Sequence, residues 1–183
     1  GKPRRHRFEN LMAFWPGLQV LVGELPAAAR TLNAFYLVWR DWGFLPEEYD
    51  FVNWQLDQRA GTLIYPLRPE LIESTYLMYR ASGDSSWLWA GQDFLSSIER
   101  WTRRGDPDGS RPGCGYAAVK NVATLELEDS MPSFFLAETA KYLYLLFDED
   151  NFMHDRPYIF STEAHPFIIP PRSTTKASGG GGA

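Results

Sequence analysis

The sequence predicts an all-α fold built from α/α hairpins, and two observations support this interpretation. Apolar residues recur at helical spacing, or on nearly every helical face, in five segments: 11–22, 26–42, 69–81, 85–102 and 134–147. Long connections rich in turn residues separate most of these segments. No short repeat of the solenoid kind is present. The pattern therefore favours a hairpin array such as an α-toroid, in which function lies on loops collected at one end.

The first two helical segments precede a long loop. Residues 11–22 are apolar on most faces and are expected to be buried, with an interruption at Pro16 and Gly17. Pro26 opens the next helix, because its missing N–H costs nothing in a first helical turn. Gly43 ends that helix after residue 42. Residues 43–66 carry turn signals and little periodicity, which predicts a long connection.

The second half of the sequence predicts three further helices and two short strands. Pro69 begins a helix that stops at Ser82-Gly83-Asp84, and the next helix runs from residue 85 to about residue 102. Residues 116–122 and 158–161 are typical of short strands, so β segments are expected near the end of the chain. Residues 134–147 are apolar nearly all round, which predicts a central helix.

Composition indicates one folded domain and excludes several classes of protein. With 183 residues, of which 44% are hydrophobic, the chain can bury a sizeable core. The net charge of −5 argues against a nucleic-acid-binding surface. The lone Cys114 allows no internal disulfide and no cysteine-rich metal site. No apolar stretch is long and charge-free enough to span a membrane.

The two ends of the sequence differ from its middle. Residues 1–8 form a basic lead-in, and residues 171–183, rich in Ser, Thr and Gly, are expected to be a flexible tail. The basic residues before the apolar run resemble a secretory signal, but Pro16, Gly17 and Gln19 interrupt that run. We therefore interpret it as an internal segment of a truncated chain, and we expect the folded domain to span residues 9–170.

The segment Pro66–Ser74 is the most informative motif. Pro69 can occupy the first turn of a helix, which puts Glu70 and Glu73 on one helical face beside Arg68. Two carboxylates beside an arginine, at the start of a helix with an apolar side, can carry out general acid–base chemistry. The alternative is a helix N-terminus that favours acidic residues through its dipole, with Arg68 as a surface ion-pair partner.

Two further polar positions stand out in apolar surroundings. Glu138 lies in the apolar segment 134–147, where a buried carboxylate is costly unless it is paired or ligated. Lys141, three residues on, could supply a structural ion pair, and this alternative stands beside a functional role. Thr162 and Glu163 follow a short apolar strand and are oxygen donors of the kind that hard cations bind. The neighbouring His165 is more often a structural residue than a metal ligand.

The remaining chemistry points to carbohydrates. The sequence has no Gly-rich phosphate loop, no nucleophile elbow and no credible Cys–His pair. It has carboxylates, many aromatic residues and an arginine. This inventory suits sugar recognition and hydrolysis, in which aromatic faces hold the ring and two acids flank the scissile bond.

Four motifs carry a family resemblance. Residues 14–17 (FWPG), Tyr65–Ser74, Ser133–Leu146 and Phe160–Pro166 resemble the C-terminal motifs of the class I α-mannosidases, glycoside hydrolase family 47. Residues 13–19 and Lys141–Asn151 are most similar to the ER degradation-enhancing α-mannosidase-like branch. The similarity covers residues 9–167.

The resemblance implies a fold, a reaction and roles for particular residues. It implies the C-terminal part of an (α/α)7 barrel and inverting, calcium-dependent removal of α-1,2-linked mannose. Glu70 matches a catalytic carboxylate, the candidate base that activates water, and Thr162 matches the calcium ligand. Glu73 would act through calcium-bound water. The residues expected around the mannose are Arg68, Leu11, Phe134, Glu138 and Glu163. Inversion needs two carboxyl groups roughly 6.5–9.5 Å apart, so that a water molecule fits between them.

The resemblance also implies a cellular role. The branch acts on high-mannose N-glycans of misfolded glycoproteins in the lumen of the endoplasmic reticulum, and the Ca²⁺ ion is the expected cofactor. Whether an oxidoreductase partner is required stays open. No signal peptide is recognised in this chain.

Departures from the family pattern favour a second hypothesis. The family barrel is more than twice this length, and its N-terminal half carries the candidate general acid, so we expect half a site here. Asn10 replaces the His of the ordinary processing mannosidases, in keeping with the degradation-linked branch. Pro132 stands where the family usually has Glu, which removes a carboxylate near the sugar. A non-catalytic mannose-binding or misfolded-glycoprotein-binding module is therefore the alternative.

An incomplete barrel also has a consequence for stability. Its open flank is expected to expose apolar surface at Trp39, Trp42 and Trp87. The chain alone is then expected to be marginally stable and to associate or aggregate.

Overall fold

A computed structural model describes residues 7–105 and 114–170. The expected tail, residues 171–183, and residues 1–6 of the basic lead-in lie outside the described residues. The helices are α1 (Trp15–Leu21), α2 (Leu25–Trp42), α3 (Glu70–Ser82), α4 (Ser86–Trp101) and α5 (Ala140–Phe147). A 3₁₀ turn over Asn10–Phe14 precedes α1, and a π-helical turn over Phe135–Thr139 precedes α5.

Local sequence signals explain where the long helices begin and end. Pro26 lies in the first turn of α2, and Gly43 ends this helix in the left-handed conformation with φ of 78°. Gly83 ends α3 in the same way, with φ of 66°. The predicted boundaries of α2, α3 and α4 are confirmed to within one or two residues.

Helix α3 lies at the centre of the helical array. It packs against α1, α2, α4 and α5, and the 3₁₀ turn also contacts it. Helices α1, α3 and α5 contact in series, and α2 and α4 lie on the other side, where α2 packs on α3 and α4 packs on α3 and α5. This arrangement gives two rows of helices. It brings the N-terminal turn of α3 close to the chain segments that flank α1 and α5.

An aromatic cluster fills the space between α2 and α4. Trp39 contacts the rings of Phe44, Tyr65 and Phe94, with centroid separations of 4.7–5.4 Å. The predicted exposure of Trp39 and Trp87 is wrong, because their exposed fractions are only 1% and 5%. Trp42 is half-buried. Trp39 packs against aromatic rings from α4 and from the segment 43–66, so the described elements cover it.

The predicted burial of residues 11–22 is also wrong for much of the segment. Leu11, Trp15, Leu21 and Val22 are each more than half exposed. Helix α1 packs on α2 and α3 along one side, which buries Pro16, Gly17 and Val20. No described element covers its other side, so the apolar residues there contact solvent.

Three small antiparallel sheets connect the helices. Strands β1 (Arg7–Glu9), β2 (Glu48–Asp50) and β3 (Gln55–Leu56) form the first. The region 43–66 therefore contains two strands, although its sequence predicted only a connection. The boundary expected after residue 8 falls inside β1, where Phe8 is buried against Phe35 and Phe51.

The other two sheets are hairpins in the second half of the chain. Strands β4 (Ala118–Asn121) and β5 (Glu126–Glu128) pair with each other, as do β6 (Tyr158–Phe160) and β7 (Pro166–Ile168). Both predicted strands are confirmed, as β4 and β6. No helix of the described residues has the length and apolar character needed to cross a membrane.

Candidate functional site

A cavity of about 500 Å³ runs along one face of α3, from Glu70 in its first turn to Arg80 in its last. Its lining comes from α3, the segment around α1, the π-helical turn and the residues around β6. The lining residues that matter below are Leu11, Glu70, Glu73, Tyr76, Arg80, Glu138, His154, Arg156 and Thr162. Five of the residues expected from the sequence, Leu11, Glu70, Glu73, Glu138 and Thr162, thus share one cavity.

Glu70 and Glu73 reach this cavity because α3 begins immediately before them. Both lie in the first turn of the helix, and the Glu73 amide donates to the Pro69 carbonyl at 2.8 Å. One carboxylate oxygen of Glu70, Oε2, is buried and accepts no hydrogen bond within the described structure. Burial raises the pKa of Glu70 above its usual value, although the Arg68 charge lowers it. A poorly solvated carboxylate with an unpartnered oxygen is able to accept a proton.

Glu73 is held by a side chain from α5. The Tyr142 hydroxyl donates to Glu73 Oε1 at 2.6 Å. The pKa of Glu73 is raised to about 7, mainly by burial and also by the Glu70 charge, against the lowering effect of the Tyr142 hydrogen bond. The tyrosine therefore holds one carboxylate oxygen of Glu73 towards α5.

Glu138 lies in the π-helical turn before α5, where the sequence predicted continuous helix. Turns of this kind widen the backbone by one residue and are frequent at functional sites. The Glu138 side chain is only 6% exposed. Burial raises its pKa to about 7, and the charges of Glu163, Glu73 and Glu70 add to this increase. Carboxylates that are far apart in the sequence thus repel one another across the cavity.

The predicted ion pair between Lys141 and Glu138 is not the contact that the structure contains. Lys141 Nζ donates instead to the carbonyl of Ala164 at 2.9 Å. Ala164 is fully buried and adopts a left-handed φ of 54°, between Glu163 and the start of β7. The lysine thereby holds the turn that carries Thr162 and Glu163 against α5. Both of these side chains are exposed, and Thr162 lines the cavity.

Arg68 pairs with a residue that the sequence did not single out. Its Nε and Nη2 atoms lie 2.5 and 3.1 Å from the two carboxylate oxygens of Glu47, so the pair is bidentate. The guanidinium carbon lies 6.0 Å from the centroid of the Phe134 ring. Arg68, Phe134 and Glu163 do not line the cavity itself, although Glu163 interacts with Glu138.

Sequence reasoning missed three other cavity-lining residues, Arg80, His154 and Arg156. The His154 ring stacks on Tyr76 with a centroid distance of 5.9 Å. Its Nε2 atom is buried and has no hydrogen-bond partner in the described structure. Arg80 and His154 had no signal in the sequence, because neither lies in a motif and only the tertiary contacts bring them to the cavity.

The donor set fits a hard cation held largely through water. Within residues 7–105 and 114–170, no three His, Cys, Asp or Glu side chains are grouped so as to bind a metal ion directly. The cavity does combine the Thr162 oxygen atoms with the unpartnered Glu70 oxygen and with mutually repelling carboxylates. Hydroxyl, carbonyl and carboxylate oxygens are the ligands that Ca²⁺ prefers, and water commonly completes its coordination.

Comparison with known proteins identifies the family of this chain. The model of glycosyl hydrolase family 47 matches residues 1–169. The chain belongs to glycosyl hydrolase family 47. It is 47% identical over 171 residues to alpha-mannosidase I MNS4 of Arabidopsis thaliana, which covers 90% of the chain and 26% of that protein.

Other relatives agree with this assignment. The chain is 43% identical to the human ER degradation-enhancing alpha-mannosidase-like protein 2, over 87% of the chain and 29% of that protein. The solved alpha-1,2-mannosidase from Trichoderma reesei superposes with a TM-score of 0.70 at 26% identity, covering 93% of the chain and 40% of that structure. The chain thus spans little more than a quarter of the Arabidopsis and human relatives. The predicted family resemblance is confirmed.

Proposed function

We propose that this chain forms the C-terminal part of the catalytic barrel of an inverting, calcium-dependent α-1,2-mannosidase. Its substrates would be high-mannose N-glycans of misfolded glycoproteins in the endoplasmic reticulum lumen. One observation carries the proposal: in a chain of this family, Glu70, which has one buried oxygen without a partner, lines a cavity together with Glu73, Glu138 and Thr162. The names of the Arabidopsis and Trichoderma relatives support the reaction, and the name of the human relative supports the compartment.

Glu70 is the candidate base. Its unpartnered oxygen is free to accept a proton from an attacking water molecule, and its raised pKa brings its basicity closer to neutral pH. The positions of Leu11 and Glu138 on the cavity wall are compatible with roles beside the sugar. Arg68, Phe134 and Glu163 would complete the surroundings of the mannose from just outside the lining. Arg68 can donate to hydroxyls and the Phe134 ring can contact an apolar sugar face.

Thr162 is the proposed protein ligand of calcium, through its hydroxyl and its backbone carbonyl. Glu73 would interact through a water molecule bound to the ion. When bound, Ca²⁺ supplies a hard positive charge that orients water and sugar hydroxyls and offsets the repulsion among the carboxylates. The raised pKa of both Glu73 and Glu138 supports this assignment, since burial and neighbouring carboxylates raise it and a bound cation would offset both effects.

The two-row helical packing supports a barrel of the (α/α)7 type, of which this chain would supply only some of the hairpins. We expect residues 9–170 to belong to that barrel. The general acid would come from the N-terminal part of the parent protein. Whether an oxidoreductase partner is required is a separate question that the site does not address.

A second candidate function is glycan binding without turnover. One observation favours it: Pro132 occupies the position at which the family usually has a glutamate. A proline offers no carboxylate, so the sugar would lose one neighbouring acid. In that case the cavity would recognise mannose on misfolded glycoproteins but would not cleave it.

Mass spectrometry of a high-mannose N-glycan separates these functions. The glycan is incubated with the parent full-length protein, with Ca²⁺ or with a chelator. Calcium-dependent loss of hexose is expected, and Glu70→Gln should abolish it. Glu126→Gln is the matched control, because Glu126 lies on exposed strand β5 and pairs with Lys120, away from the cavity.

The same assay on this chain alone tests the expected half site. We expect no hexose loss from a sample that circular dichroism shows to be folded. If the chain trims the glycan by itself, its own residues include the general acid and the half-site expectation is wrong. Binding of the glycan by a full-length protein that releases no hexose would establish the second candidate function instead.

A further inference from the structure

Two adjacent glutamates make similar ion pairs in different surroundings. Glu47 forms a bidentate pair with Arg68, next to the candidate site. Glu48 pairs with Arg59, which is also bound to Asp57 in the loop after β3. Only the Glu47 pair involves a residue near the cavity. This difference suggests that Glu47 does more than stabilise the loop.

The backbone at Glu47 is held firmly from two sides. Its carbonyl accepts from the Asn10 amide at 2.8 Å, and its own amide donates to the Ile64 carbonyl at 2.9 Å. The Asn10 side chain, only 1% exposed, donates to the carbonyls of Leu45 and Pro46 at 2.7 and 3.3 Å. The carboxylate of Glu47 therefore projects from a fixed point.

Arg68 has a second acidic neighbour that competes with Glu47. Glu70 is two residues further along the chain, and each of the two charges shifts the pKa of the other, so they lie within electrostatic reach. Glu70 also has the buried oxygen without a partner. A guanidinium prefers a carboxylate that it can bind in a bidentate way. Of the two carboxylates that shift the pKa of Arg68, Glu70 is the one that remains without Glu47.

We propose that Glu47 is a positioning residue, which holds the Arg68 guanidinium near Phe134 and prevents it from forming an ion pair with Glu70. The Tyr65 hydroxyl assists by donating to the Arg68 carbonyl at 3.0 Å, which fixes the arginine backbone. In this arrangement Arg68 is available to a sugar, and the Glu70 oxygen stays available to water. The benefit to catalysis rests on the proposed function of Glu70.

Matched substitutions in the full-length protein test this role. Glu47→Gln and Glu48→Gln each remove one charge from adjacent positions, Glu47 just before β2 and Glu48 at its first residue. Crystal structures of both variants are expected to show Arg68 bound to Glu70 in Glu47→Gln, and unchanged in Glu48→Gln. Because the base is then occupied, kcat of Glu47→Gln should fall about 10- to 100-fold on the glycan substrate, with a change in KM below about threefold.

Glu47→Asp serves as the conservative variant. It keeps the charge at the fixed backbone position, so Arg68 should stay away from Glu70 and kcat should recover to within about threefold of the wild-type value. If Glu47→Gln does not fold, this recovery of kcat still tests the proposal. An unchanged Arg68 position in Glu47→Gln, or equal losses of kcat in Glu47→Gln and Glu48→Gln, would overturn the proposal.

The failure of this proposal is distinguishable from a failure of the proposed function. If the wild-type protein does not release hexose, the mannosidase assignment fails. The position of Arg68 in the Glu47→Gln crystal structure then still decides whether Glu47 directs it. If the wild-type protein is active and Arg68 does not move, the positioning role alone is wrong.

Discussion

The two faces of the segment 135–147 border cavities of similar size and opposite character. One face lines the cavity of about 500 Å³ with Glu138, close to Glu70 and Glu73. The other borders a groove of about 620 Å³ between α4 and α5, whose lining is mostly apolar: Leu95, Ile98, Phe135, Leu136, Leu143 and Phe147. Volume does not distinguish the two. The buried carboxylates, with their raised pKa values and an unpartnered oxygen, indicate which of them is suited to chemistry.

The contrast is sharpest within the π-helical turn. Leu136 and Glu138 are two residues apart, yet Leu136 is 61% exposed in the groove and Glu138 is 6% exposed in the cavity. A single short segment thus supplies one side chain to each region. Each face of this segment therefore has to be tested separately, with substitutions at neighbouring positions.

The largest expected effect concerns turnover by the full-length protein. Glu138→Gln should lower kcat on a high-mannose glycan by roughly 100-fold, because it removes a charge beside the proposed mannose position. Leu136→Ala, on the groove face of the same turn, should change kcat by less than about threefold. Steady-state kinetics with mass-spectrometric detection would measure both. Equal effects of the two substitutions would mean that the faces are not functionally distinct.

The next effect concerns a buried polar contact at the edge of the candidate site. Asn10→Asp should lower the free energy of unfolding by about 2 kcal/mol, because it replaces two amide donors with a carboxylate facing the carbonyls of Leu45 and Pro46. Urea denaturation of this chain would measure the loss. Asn33→Asp, at an exposed position of α2, is the matched control. A loss of equal size in the control would contradict the explanation.

The acidic cavity should also make stability depend on pH. In the folded chain the pKa of Glu73 is about 7, above its value of 4.5 in an unfolded chain, so folding favours the protonated form. This contribution is fully present below about pH 4.5 and is lost as pH rises through about 7. Without added calcium, the loss for Glu73 should reach roughly 3 kcal/mol by pH 8.

Denaturation at several pH values, with and without Glu73→Gln, tests the predicted fall in stability with rising pH. The substitution should flatten the fall in stability between about pH 5 and pH 8, and Ca²⁺ should oppose the fall in the wild-type chain. Glu126→Gln should leave the slope unchanged, because Glu126 is exposed on β5. A wild-type stability that rises over this interval would refute the expected linkage.

The smallest effect on stability is expected in the groove. Leu136→Ser should change the free energy of unfolding by less than about 0.5 kcal/mol, because the side chain is already largely exposed. It should nevertheless weaken self-association of this chain, which exposed apolar surface promotes. Sedimentation velocity would measure the association, with Leu37→Ser on α2 as the control. A wild-type chain that stays monomeric and melts cooperatively would contradict the expected association.

Local sequence signals predicted the helix boundaries well and the exposure of apolar residues poorly. Helix α3 could be bounded by Pro69 and Gly83, because these residues act on their own backbone. The same sequence could not indicate that Trp39 would be buried and Trp15 exposed, since both lie in apolar helical segments. The outcome depends on which helices pack against each face.

In the candidate site, too, local contacts could be predicted and long-range contacts could not. Glu70 and Glu73 could be found together because one helical turn joins them. Tyr142 was not predicted to bind Glu73, and Glu47 was not predicted to bind Arg68, because these contacts join residues 69 and 21 positions apart. The π-helical turn at Glu138 also escaped prediction, because its residues favour an ordinary helix equally well.

By itself, the sequence determined the elements that depend on local interactions and the motifs that identify the family. Only the tertiary structure decided that carboxylates from α3 and from the π-helical turn share a cavity with Thr162, and that Lys141 binds a backbone carbonyl rather than Glu138. The physical reason is the distance along the chain over which each kind of interaction acts. Helix caps and turns act over a few residues, whereas ion pairing, desolvation and repulsion depend on which distant segments are packed together.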